Sequence, residues 1–353
     1  MKNTKTKKIL AVNFGGIGDE ILFFPTLKTL KSAYKNAHLT LVTEPRSKSA
    51  KSLTNLVDDI ITCDIKGKDK YLEIYKFLKQ AWTGQFDVVI SSGSSKVVSI
   101  LLFLTGISER YGYNSGIISK LLLTGAVPLN RKQYAANMYH DLTKEIAPNA
   151  GYELPEVIIT HEDLDWANKV IADHDKKVIL IHPGVSQMSI DKTIFKFWSV
   201  ENWAELVKML VETDRYRIIL AGGPDDDVVI NRIKEKLENQ NSHGNNVIDM
   251  FGKTKNIAQL AALIKMSDMV ICVDSAPMHI AVGTGTRTVA IFGPTNENKL
   301  LPPNDNRFTA VKVENLGCRP CLWDKRQVSC DNPLCLNVSI NSVMEVVEQL
   351  YPF

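Results

Sequence analysis

The sequence predicts an α/β fold of two domains, each a parallel sheet wrapped by helices, with the two sheets facing a cleft. Three observations predict it. A length of 353 residues exceeds one usual domain and leaves room for two separate cores. Hydrophobic residues at 44% and charged residues at 23% are the balance of an ordinary folded chain, which excludes disordered and fibrous classes. Short β-branched runs alternate with longer stretches of helical period from end to end, the pattern of βα units.

In the first half, strands are predicted at Lys8 to Val12, Leu39 to Thr43, Ile60 to Cys63 and Asp87 to Ser91. The second half repeats the pattern at Lys177 to Ile181, Tyr216 to Ala221, Asn246 to Met250, Met269 to Val273 and Thr288 to Phe292. Ala147-Pro148-Asn149-Ala150-Gly151 and Leu154-Pro155 break a helical run, so a linker is expected between 148 and 176. Two Rossmann-like domains, residues 1–160 and 161–353, follow from this, and Ile340 to Leu350 reads as an amphipathic terminal helix.

Open α/β sheets bind ligands beyond the carboxyl ends of their strands, where loops meet helix N-termini. After the first strand comes Gly15-Gly16-Ile17-Gly18-Asp19, then a helix carrying Ile21, Leu22, Phe24, Leu27 and Leu30. Glycines at such a turn permit positive φ and close approach of a ligand. The spacing fits neither the dinucleotide fingerprint nor the phosphate loop with its lysine. Asp19 opens the helix, where a carboxylate can take a proton from an attacking hydroxyl. The macrodipole also favours an acid there without any catalytic role.

In the second half, the strand at Val178 to Ile181 ends in His182-Pro183-Gly184, and Lys196 precedes a helix with Trp198 and Trp203, the latter read as packing. An ammonium beside a departing diphosphate stabilises its developing charge, so Lys196 is the candidate, with Lys192 as a substitute. The strand ending at Val273 delivers Asp274, Ser275, Ala276, Pro277, Met278 and His279. Ser275 is placed to cap the next helix, and amides near 276 to 279 would then face an anion. Asp274 is placed to hold a sugar hydroxyl, against a bland reading as a cap with His279 a satisfied core histidine. Gly293-Pro294-Thr295 forms a second polar loop at the neighbouring strand end.

Four of six cysteines crowd into Cys318-x2-Cys321-x8-Cys330-x4-Cys335. Structural zinc or iron, reduced thiols and disulfides are all open readings, and the tight Cys-x2-Cys pair tips them toward metal. Cys63 and Cys272 read as small core residues. The triplets Asp163-Leu164-Asp165, Asp173-His174-Asp175 and Asp225-Asp226-Asp227 look like metal-binding Asp-x-Asp motifs, yet solvated helix faces explain them better.

The formal charge of +3 argues for no nucleic-acid partner. Met1 to Lys8 holds four lysines, which fit either contact with an anionic membrane face or plain solvation. No run approaches the roughly 18 apolar residues of a spanning helix, and no secretory signal precedes the first strand. A cytoplasmic chain, at most peripheral at the inner face of the inner membrane, is expected.

Gly18-Asp19 with Pro25, His182-Pro183-Gly184, Lys196 before Trp198, Gly222-Gly223-Pro224 followed by acids, Asp274-Ser275 with His279, and Gly293-Pro294-Thr295 stand in one order along the chain. Together they resemble the ADP-heptose:lipopolysaccharide heptosyltransferases of glycosyltransferase family nine, from about residue 8 to 350. The resemblance implies a GT-B fold and inverting transfer of heptose or a related sugar from an ADP-sugar. The donor would be held by the second domain, and a lipopolysaccharide core or other glycan acceptor by the first, with no catalytic metal. By position it makes Asp19 the general base, Lys196 the diphosphate lysine, Asp274 and His279 the donor-site pair, and Asp226 a contact to the adenosine ribose. The chain departs from the family pattern at Asn13, where arginine is common, at Ala276, where glycine is frequent, and at Asp226, where glutamate is usual. Two neighbouring readings remain: a protein hydroxyl as acceptor, and a nucleotide-sugar-binding protein without turnover.

Overall fold

The computed structural model describes residues 6–171, 175–184, 196–238, 246–322 and 330–351. The chain divides into two compact units, Met1–Ile158 and Ile159–Phe353.

The first unit runs β1 (Lys8–Val12), α1 (Ile17–Ala33), β2 (His38–Thr43), β3 (Asp59–Thr62), α2 (Lys70–Thr83), β4 (Val88–Ser91), α3 (Lys96–Leu104), β5 (Glu109–Tyr113), α4 (Ile117–Leu122), β6 (Gly125–Val127) and α5 (Ala135–His140). Its strands form one parallel sheet in the order β3-β2-β1-β4-β5-β6, with Ile9 paired to Leu39 on one side and Val88 on the other. The central strands are buried on both faces, which is why they read as continuous apolar runs and not as alternation. On one face Leu10, Val12 and Val89 pack against Phe77, Ala81 and Leu102 from α2 and α3.

The second unit runs α6 (His161–Ile171), β7 (Lys177–His182), α7 (Val200–Glu212), β8 (Tyr216–Leu220), α8 (Asp227–Glu238), β9 (Val247–Asp249), α9 (Ile257–Met266), β10 (Met269–Val273), α10 (Ala276–Thr284), β11 (Arg287–Phe292), α11 (Glu297–Leu300), β12 (Phe308–Lys312) and α12 (Ile340–Leu350). Its parallel sheet has the order β12-β11-β10-β7-β8-β9. The stretch from 148 to 176, read as a linker, contains α6, which packs on α9. Helix starts follow local chemistry: Ser199, Asn256 and Ser339 each accept the backbone N–H three residues on, at 3.1, 3.0 and 3.1 Å.

Trp198 and Trp203 meet edge to face at 5.0 Å inside this core, and Trp198 donates its indole N–H to the Val338 carbonyl at 2.9 Å. Both tryptophans are therefore packing residues. Cys63 and Cys272 lie buried in the two cores, and burial pushes the Cys63 thiol up to about 11. Among the described residues no helix is long and apolar enough to cross a membrane.

Candidate functional site

Asp19 stands in the first turn of α1, just beyond the carboxyl end of β1. Its Oδ2 accepts the Gly16 backbone N–H at 2.8 Å, closing a cap on the helix. At Gly15 the loop has to be glycine, and for a reason other than positive φ. None of Gly15, Gly16 and Gly18 adopts positive φ, but a Cβ on Gly15 would come within 2.3 Å of the Asp19 Cβ. Close approach is what the loop needs, and it is to the chain's own carboxylate. Ser47 reinforces the turn by donating to the Gly15 carbonyl at 2.7 Å.

The other oxygen, Oδ1, accepts the Tyr139 hydroxyl at 3.1 Å. Tyr139 comes from α5, 120 residues away in sequence, and its ring packs edge to face on Phe23. Burial, followed by the neighbouring Asp19 charge, pushes the Tyr139 hydroxyl far above its ordinary range, so it stays a donor. A carboxylate oxygen has two acceptor positions, so both oxygens can hold these bonds and still receive a proton.

Next to it, Glu20 is fully buried, with its Oε1 accepting the Thr43 hydroxyl at 2.5 Å. Burial pushes the Glu20 carboxyl well above the ordinary glutamate range, opposed by Thr43 and helped by the Asp19 charge. Two adjacent carboxyls thus sit in different surroundings. Glu44, also buried, ties down Arg46, which donates to it at 2.7 Å, and pairs with Lys66. That pairing holds the Arg46 guanidinium beside the Gly16 loop. Asn13 is buried at the end of β1 and accepts the Ser92 hydroxyl at 2.5 Å.

In the second unit, Lys196 and Asp274 meet at 2.8 Å. Asp274 is buried at the end of β10. Burial alone would raise its carboxyl, but the Lys196 charge and hydrogen bond, with His279 and Thr295 beside it, hold it below the ordinary carboxylate range. The expected site residues Lys196, Asp274, His279 and Thr295 therefore come together. Lys192 lies outside the described residues, as do Asp173 and His174 of the second acidic triplet.

Ser275 does occupy the position before α10, but its hydroxyl bonds the Val273 carbonyl at 3.4 Å and caps no amide. The Met278 amide is spent on the Ser275 carbonyl at 3.1 Å, and Pro277 has none. The anion site expected from amides 276 to 279 is accordingly narrower. Among the described residues only the Ala276 amide, of the first three helical positions, has no acceptor.

His182 ends β7 and faces Asp226 at 3.7 Å. Burial lowers the His182 ring below its ordinary value, opposed by the Asp226 charge. Burial raises the Asp226 carboxyl, opposed by His182 and by the Gly223 N–H that it accepts at 2.8 Å. A Cβ on Gly184 would lie 1.6 Å from Asp226 Oδ1, so Gly184 is fixed by this contact. Asp225 and Asp227 are exposed while Asp226 is buried. The triplet cannot converge on one ion.

The Gly293-Pro294-Thr295 loop is held by a residue that sequence reasoning passed over. Arg319 donates to the Gly293 carbonyl at 2.6 Å, to the Thr295 carbonyl at 2.9 Å and to Glu297 at 3.1 Å, while the Cys321 amide bonds the Pro294 carbonyl at 3.0 Å. Among the described residues no three His, Cys, Asp or Glu side chains converge as a metal site. Cys318 is exposed and Cys335 buried; all four thiols of the run are free, and burial with mutual charge raises Cys321 and Cys335.

Two parallel sheets with their polar side chains gathered at the carboxyl strand ends define a doubly wound α/β protein that binds its ligands beyond those ends. The model of glycosyltransferase family 9 (heptosyltransferase) matches residues 74–330. The chain is 24% identical over 325 residues to lipopolysaccharide heptosyltransferase 3 of Escherichia coli K12, spanning 86% of this chain and 88% of that one. A family 9 glycosyltransferase structure from Veillonella parvula superposes with a TM-score of 0.76 at 21% identity, covering 98% of this chain and 97% of that one. An E. coli heptosyltransferase crystallised with ADP-2-deoxy-2-fluoro heptose superposes with a TM-score of 0.68 at 15% identity, covering 97% and 99%. This chain belongs to glycosyltransferase family 9, with the GT-B fold, and is a glycosyltransferase.

Proposed function

We propose that this enzyme moves heptose, or a closely related sugar, from an ADP-sugar to the lipopolysaccharide core or another surface glycan, with inversion. The first unit would seat the acceptor and the second the donor. The acceptor hydroxyl oxygen attacks the anomeric carbon as the bond to the diphosphate oxygen breaks. Asp19 takes the hydroxyl proton, and the electron pair of the broken bond leaves on ADP. Lys196 exchanges its Asp274 partner for the departing diphosphate, helped by the Ala276 amide at the start of α10. Asp274 and His279 would contact the sugar and Asp226 the ribose. ADP-heptose as donor is supported by the ADP-heptose analogue in the E. coli relative.

The observation that carries the reading is the fixed Asp19 carboxylate, held from one side by the Gly16 amide and from the other by Tyr139. Asp19→Ala is expected to lower turnover by about 10²- to 10⁴-fold while ADP affinity stays near wild type. Wild-type turnover in that variant ends the assignment. The cysteine run is read as a structural fastening of the Gly293-Pro294-Thr295 loop, supported by the Arg319 and Cys321 bonds to it. Elemental analysis of anaerobically purified protein tests whether it takes up zinc or iron.

A further inference from the structure

Among the described residues, eleven of the sixteen large apolar side chains that are exposed lie on α2, α3 and α4. Val97 is 70% exposed, Ile117 86%, Leu121 79% and Tyr71 77%. The three helices form one layer, because right-handed crossovers from β3 through β6 place them on the same face of the first sheet. The Trp82 indole N–H of α2 reaches the Leu104 carbonyl at the end of α3 at 2.8 Å, and α3 packs on α4. So many exposed large apolar side chains on three neighbouring helices are unusual on a protein that meets only water.

Its charges point one way. Between residues 70 and 134 eight basic side chains stand against three acidic ones. Each of the three acids is occupied: Glu73 by Lys76 at 2.7 Å, Asp87 by the Lys8 amide at 2.8 Å and Glu109 by Lys7 at 2.7 Å. Lys96, Lys120, Arg131 and Lys132 are exposed, and among the described residues none is paired with a carboxylate. Lys96 and Arg131 lie at the carboxyl edge of the sheet, near Gly116 and Ser94. Tyr71, Tyr75 and Trp82 share one side of α2 at helical spacing, the residue types that settle at headgroup depth.

We infer that the outer face of α2, α3 and α4 docks on an anionic lipid bilayer, with Val97, Ile117 and Leu121 entering the acyl boundary and Lys96, Lys120 and Lys132 meeting headgroup phosphates. Cations that among the described residues pair with no carboxylate, set around an apolar centre, complement a negative surface and oppose a second copy of the same face, which would bring like charges together. The inference stands on this surface alone. It meets the proposed function in that a lipid-borne acceptor would be found where Val97 and Ile117 enter, at the strand ends that also present Asp19.

The test is flotation of the full-length chain, without donor or acceptor, with mixed phosphatidylethanolamine–phosphatidylglycerol vesicles and with pure phosphatidylcholine vesicles. Binding is expected to the anionic vesicles and to fall with added salt. Ile117→Asp with Leu121→Asp should lower that partition at least about 10-fold while ADP affinity and melting temperature stay unchanged. Lys96→Glu with Lys120→Glu should remove the salt dependence. No vesicle binding by the wild-type chain, or equal binding by the Ile117→Asp, Leu121→Asp chain, overturns the inference. So does a dimer in light scattering that those substitutions break, which would make the face a self-interface. Because the measurement omits donor and acceptor, its failure leaves the glycosyl-transfer reading untouched.

Discussion

Asp19 in the first unit and Asp226 in the second are held by the same local device. Each follows a glycine-containing strand end, stands third in its helical turn, and accepts the N–H of the residue three before it at 2.8 Å. What folds over the remaining oxygen differs. Asp19 is half-buried and takes the Tyr139 hydroxyl; Asp226 is 5% exposed, packed on Gly184, and faces a histidine whose ring burial keeps neutral. Burial raises the Asp226 carboxyl. The local chain sets the cap, and distant residues decide what proton chemistry the carboxylate is fit for.

The sharpest way to break this comparison is to remove each carboxylate in turn. Against the loss of about 10²- to 10⁴-fold in turnover for Asp19→Ala, Asp226→Ala should act on donor affinity and stability, with kcat within about 10-fold of wild type. Equal losses of kcat in both variants would dissolve the distinction.

Lys196→Ala comes next, since it leaves Asp274 buried without its cation. Stability of the second unit should drop by about 2–3 kcal/mol, less than for a fully enclosed pair because Lys196 keeps some solvent contact. Adding Asp274→Asn should restore most of that stability without restoring ADP affinity. Recovery of both in calorimetry and ADP titration would reduce Lys196 to a structural role.

Tyr139→Phe removes a bond to a charged acceptor at a position that tolerates the ring. A fall of about 10-fold in kcat with an unchanged KM is expected. An unchanged kcat with a lowered melting temperature would mean that Tyr139 only packs.

The smallest effects concern buried groups that titrate. Glu20 has a raised carboxyl, so its share of stability is present below its ordinary value of 4.5 and is lost as pH rises through the folded value. Glu20→Gln should therefore stabilise the chain at pH 8 by about 1–2 kcal/mol. His182 has a lowered ring value, so the unfolded chain takes a proton first and stability declines as pH falls below 6.5. His182→Asn should flatten the melting-temperature curve below that point.

Of the twelve strands among the described residues nine were legible: seven are central strands of a parallel sheet, apolar on both faces, and the edge strands β3 and β9 show as the short β-branched runs Ile60-Ile61-Thr62 and Val247-Ile248. β5, β6 and β12 were not. Glu109–Tyr113 is polar, Gly125–Val127 is three residues long, and Phe308–Lys312 lies at a sheet edge, so each becomes a strand only through its neighbour's register. The site divides likewise. Asp274 and Thr295 were readable because they follow strand ends, and Lys196 and His279 because they stand before or within the first turn of a helix. Tyr139, Glu20 and Arg319 carried no motif; an acid ahead of the apolar run Ile21-Leu22-Phe23-Phe24 was the one available hint, at Glu20.

The sequence alone determined the α/β class, the two-sheet organisation, the carboxylate at the head of α1 and the terminal helix Ile340–Leu350, because period, caps and glycine turns act over a few residues. Tertiary structure decided that Tyr139 reaches Asp19 across 120 residues and that Lys196 answers Asp274. Desolvation and ion pairing depend on which atoms are brought within a few ångströms, and chain spacing does not encode that distance.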